Sequence, residues 1–94
     1  MNLEKSKKRI AKMVKRGFQG YPEISISYFG STTDIAELVA VSFIAEEGAA
    51  PMEERFQSKS DAREDQVIQS AIVKMIERSE AKTIKQVESV AVIN

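Results

Sequence analysis

The sequence predicts an α+β fold: one small domain, 1–94, of order α-β-β-β-α, with a three- to four-stranded antiparallel sheet covered by two helices on one face. Three observations carry that expectation. Two segments repeat apolar residues at the 3.6-residue helical period, and the segments between them alternate apolar with polar residues. Gly, Pro and Ser/Thr clusters mark the boundaries. Each helix has one apolar stripe and the strands share one apolar face, so both helices pack most economically on the same side of the sheet.

The first helix is expected over Leu3 to Arg16. Leu3, Ile10, Met13 and Val14 point to one side, and Lys5, Lys8, Arg9, Lys12, Lys15 and Arg16 form a stripe on the other. Asn2 suits the N-cap, and Gly17, Gly20 and Pro22 stop the helix. Glu23 to Phe29 alternates, with Ile24, Ile26 and Tyr28 on one face and Ser25 and Ser27 on the other, which predicts a half-buried strand. A turn follows at Ser31–Asp34. Glu37 to Ala45 reads as a second strand from its β-branched alternation, although Asp34 and Glu37 also have the spacing of a helix cap.

Glu46-Glu47-Gly48 reads as a hairpin turn, and Met52 to Gln57 as a third strand at a sheet edge, beside Pro51 and its acidic neighbours. A second helix is expected over Asp61 to Ser79, with Asp61 and Glu64 as a capping box and Val67, Ile68, Ala71, Ile72, Met75 and Ile76 as its apolar stripe. Residues 81–94 form a C-terminal extension. Thr83 with Gln86 has the spacing of a helix cap, whereas Val87 to Ile93 has strand chemistry, and a terminal strand or docked tail is expected.

Composition narrows the chemistry. The length of 94 residues, with 43% apolar and 30% charged side chains, suits one ordered domain with a modest core. The chain has no cysteine and no histidine, so disulfides, thiolate sites and the usual zinc or copper sites are not expected, nor is any cofactor. The apolar run Ile35–Ala45 is broken by Glu37 and Ser42 and is too short to span a bilayer. No signal-peptide pattern is seen at the N-terminus, and a cytoplasmic, microbial protein without membrane attachment is expected.

Charge is segregated, although the chain is neutral overall. Residues 1–20 carry a net +6, residues 21–65 a net −7 and residues 66–94 a net +1. Such segregation suits attraction between segments or between molecules as readily as attraction to an outside polyanion. The stripe Lys5, Lys8, Arg9, Lys12, Lys15 and Arg16 is the candidate surface for an anionic partner. Tyr21 and Phe29 are candidates for a contact surface beside it.

The carboxylates Glu46, Glu47, Glu53 and Glu54 have no calcium-loop spacing, and no nucleophile–base constellation stands out. The expected function is therefore a non-enzymatic protein-interaction or regulatory module, binding a partner protein or a copy of itself. Binding of RNA or DNA by the basic face of the first helix is the alternative.

Overall fold

A computed structural model describes residues 2–93; Met1 and Asn94, part of the expected 1–94 domain, lie outside the described residues. The elements are α1 (Leu3–Lys15), β1 (Glu23–Gly30), β2 (Leu38–Ile44), β3 (Met52–Gln57), a one-turn 3-10 helix (Ala62–Glu64), α2 (Gln66–Ser79) and β4 (Thr83–Val92). The α+β class and the α-β-β-β-α order are as expected, with a fourth strand added by the C-terminal extension. Thr83 begins that strand and caps no helix.

The sheet order is β3-β2-β1-β4. β1 pairs antiparallel with β2, and β2 with β3, whereas β4 runs parallel to β1. The sheet is thus mixed, where a wholly antiparallel one was expected. The reason is the connection: α2 carries the chain back along the sheet before β4 starts, and such a crossover delivers a parallel strand. Among the described residues, no helix is long and apolar enough to cross a membrane.

Local chemistry explains the helix ends. Asn2 accepts a hydrogen bond from the Lys5 N–H at 2.8 Å, which caps α1 as expected. Arg16 is the C-cap, and Gly17 then adopts a φ of 72°, open to glycine at no steric cost. The second helix departs from expectation at its start. Asp61 caps only the 3-10 turn, and Asp65 caps α2 by accepting from the Ile68 N–H at 3.2 Å. The expected capping box fails because both its members have other partners. Asp61 is held by Arg63, and Glu64 pairs with Lys7 of α1 at 2.6 Å. Val67 consequently sits in the first turn of α2 with 79% of its surface exposed, outside the stripe it was assigned to.

The core lies between the helices and one face of the sheet. Ile24, Ile26 and Tyr28 of β1 stand in register with Phe43, Val41 and Val39 of β2, and face Ile10 of α1 and Ile68, Ile72, Val73 and Ile76 of α2. Ile84 and Val90 of β4 complete that layer. The serine face of β1, with Ser25, Ser27 and Phe29, points away from both helices and is half-buried among its neighbours in the sheet. β4 shifts register opposite Ser27/Tyr28, so Glu88 and Ser89 bulge out of the ladder.

Gly30 ends β1 where the 31–37 loop folds back. A Cβ there would lie 2.2 Å from the Ile35 carbonyl oxygen. Backbone cannot yield as a flexible side chain can, so Gly30→Ala is expected to cost about 1–3 kcal/mol by overpacking. A thermal melt would show it as a clear fall in Tm, and an unchanged Tm would mean that the loop is free to move.

Candidate functional site

Two regions stand out: the solvent side of α1, and a polar cavity beneath it. The α1 surface follows directly from helical spacing. Ile10 is buried and Met13 and Val14 pack against the core, which turns Lys5, Lys8, Arg9, Lys12, Lys15 and Arg16 outward, all of them exposed. Arg9 reaches Glu77 of α2 at 3.8 Å. Among the described residues, the other five make no ion pair.

Tyr21 lies just past α1, half-buried, with its ring edge-on to Phe18 at 5.5 Å and 75°. Phe29 stands far from it, on the sheet face turned away from the helices, in register with Leu38 and Ala91. The structure therefore brings Tyr21 to the end of the basic stripe and leaves Phe29 elsewhere.

The cavity, of about 330 Å³, is lined by residues of α1, β1, the 3-10 turn, α2 and β4. Its floor is a buried chain of hydrogen bonds. Gln69 Nε2 donates to Tyr28 Oη at 3.1 Å and to the Ala62 carbonyl at 2.9 Å, and Tyr28 Oη donates to Gln86 Oε1 at 2.8 Å. Tyr28 and Gln69 are each only 2% exposed. Burial is the main influence on the Tyr28 phenol and pushes its pKa above the usual value, so it stays neutral across the physiological range.

Arg63 forms the wall of the cavity. Its Nε and Nη2 donate to the Asp61 carboxylate at 3.0 and 2.7 Å, its Nη1 to the Glu88 carbonyl at 3.0 Å, and its Nη2 also to the Asp34 carbonyl at 3.0 Å. One side chain thereby ties the 31–37 loop, the 3-10 turn and the β4 bulge together. The hydrogen bond from Arg63 holds the Asp61 carboxyl below the usual carboxylate range and raises Arg63 in return. Chemically, the region offers fixed hydrogen bonds, with a neutral phenol and cations already held by carboxylates.

Sequence reasoning missed this network, although part of it was visible. Gln69 occupies a stripe position with Ile72, Val73 and Ile76 at i+3, i+4 and i+7, so its burial follows from the same period as theirs. The role of Arg63 had no local signal, because its carbonyl partners lie 29 and 25 residues away. No protein-family model matches the chain, and no curated protein or solved structure matches it.

Proposed function

We propose that this protein is a non-catalytic interaction module whose α1 solvent face holds an acidic surface of a partner protein. The supporting observation is the set of five exposed cations that make no ion pair among the described residues, in a chain that also carries an acidic segment of nearly equal and opposite charge. Like charges at i, i+3 and i+4, as at Lys5, Lys8, Arg9 and Lys12, cost an isolated helix about 0.2–0.5 kcal/mol per pair. An acidic partner turns that cost into attraction.

Lys8→Glu, Arg9→Glu and Lys12→Glu combined are expected to weaken binding to immobilised poly-L-glutamate about 10- to 100-fold, at ~0.5–1 kcal/mol for each exposed charge. The fold should persist, because all three side chains are exposed. Wild-type binding should weaken as salt rises. Equal retention of wild type and variant would refute the reading.

The Phe18–Tyr21 pair at the end of the stripe favours a second reading, single-stranded nucleic acid, since aromatics beside cations can stack bases. A gel shift with RNA and DNA at low salt separates the two. A shift that is abolished by the same triple variant supports the nucleic-acid reading, and no shift at low salt removes it.

A further inference from the structure

Resting on that reading, we infer that the acidic partner is a second copy of this chain, docked by its β2–β3 hairpin and the groove beside it. The sheet order places β3 at one edge and β4, against which α1 packs, at the other. Three strand spacings separate the two edges, about 14 Å at ~4.8 Å each. Glu46, Glu47, Glu53 and Glu54 on the hairpin are all exposed. Glu53 reaches Arg55 at 3.4 Å, and among the described residues the other three make no ion pair. The two oppositely charged patches of one molecule therefore do not neutralise each other, and a second molecule can satisfy both.

Apolar groups beside the two patches match as well. Next to the hairpin, β2, β3 and α2 enclose a groove of about 420 Å³ whose apolar lining includes Phe43, Met52 and Met75, with Met52 70% exposed. At the other edge, Phe18 follows directly on the basic stripe and is 60% exposed. Methionine thioethers are adaptable partners for an aromatic ring. Phe18 of one copy fits the methionine groove of the next while Lys12, Lys15 and Arg16 meet Glu46, Glu47 and Glu54. Acidic residues along edge strand β3 discourage strand-to-strand addition, so the contact is made by side chains. Reciprocal contacts close a two-fold dimer, and non-reciprocal ones grow head to tail.

Charge exchange tests this directly. One variant carries Lys12→Glu, Lys15→Glu and Arg16→Glu, and the other Glu46→Lys, Glu47→Lys and Glu54→Lys. In sedimentation at low salt, the wild-type mass should rise with concentration and fall back with added salt. Each variant alone should be monomeric, because its two patches then share one sign. An equimolar mixture should associate again, the reversed helix of one facing the reversed hairpin of the other. Phe18→Ser, which alters no charge on either patch and no buried residue, should weaken wild-type association at least tenfold with its circular dichroism unchanged. A strictly monomeric wild type, or variants that associate alone as wild type does, would overturn the inference, as would a mixture of folded variants that stays monomeric. A monomeric wild type that still binds poly-L-glutamate overturns only the second-copy partner, whereas loss of both overturns the underlying reading too.

Discussion

Arg63→Ala is expected to destabilise the protein by about 2–3 kcal/mol, at the upper end for one side chain hydrogen-bonded as an ion. Three partners lose a charged side-chain donor at once, the Asp61 carboxylate and the carbonyls of Asp34 and Glu88, although Asp61 keeps the backbone N–H of residue 63 at 3.0 Å. Arg63 and Asp61 side chains keep 27% and 22% exposure, so water compensates part of the loss and holds the figure to this range. For a domain of this size the change corresponds to a fall in Tm on the order of 10–20 °C. Arg63→Lys should recover only part of it, since an ammonium cannot fork across a carboxylate and reach two carbonyls as well. Amide exchange should quicken first in the 31–37 loop and at the Glu88–Ser89 bulge. An unchanged Tm would show that the three segments hold together without the guanidinium.

The same pair sets a pH dependence with a definite sign. The Asp61 carboxyl has its folded pKa depressed, first by the Arg63 hydrogen bond. Its stabilisation is therefore fully present above the unfolded value of about 4, and is lost as pH falls through the lower folded value. Denaturant melts of the wild type should weaken below about pH 4. Arg63→Ala should show a shallower loss over that window, because its Asp61 pKa lies closer to the unfolded one.

The second large effect is expected in the core, where Ile26→Ala should cost about 3–4 kcal/mol. Ile26 is 1% exposed in β1, the strand flanked by β2 on one side and β4 on the other. Its register partners are Val41 and Gln86, and both are fixed in the sheet, so the lost methylenes leave a cavity that the structure can only partly fill. A chain of this length has about 5–14 kcal/mol of total stability, so the variant should unfold at much lower denaturant with its m-value unchanged. Ile35→Ala, at a half-exposed loop position, is the control and should shift the midpoint little. Equal effects at the two sites would contradict the placement of the core.

Residues differ in how much of this was legible from sequence. The Asn2 cap, the Ile10 face of α1 and the alternation of β1 depend on neighbours within a few positions, where steric and hydrogen-bonding preferences act directly. β2 formed a strand because Val39 and Val41 both face the core, while Glu37 accepts from the Ser31 N–H and hydroxyl instead of capping a helix. Asp61 and Glu64 show the opposite case. Their spacing favours a capping box, and the box fails because Arg63 and Lys7 make stronger, charge-assisted bonds to the same carboxylates.

The sequence by itself determined α1, β1 and β3 and the apolar side of α1 and β1, because backbone geometry converts local spacing into a face, whereas the start of α2 and the strand from Thr83 needed the tertiary structure. It also set the two-sided character of KSKKRIAKMVKR, with Ile10 inward and the cations outward. Only the tertiary structure decided that β4 lies parallel beside β1, that Arg63 ties three distant segments together, and that the basic helix and the acidic hairpin sit at opposite edges of the sheet. Strand order is set by how a crossover helix can bury its stripe against the whole sheet, and no short window of residues contains that competition.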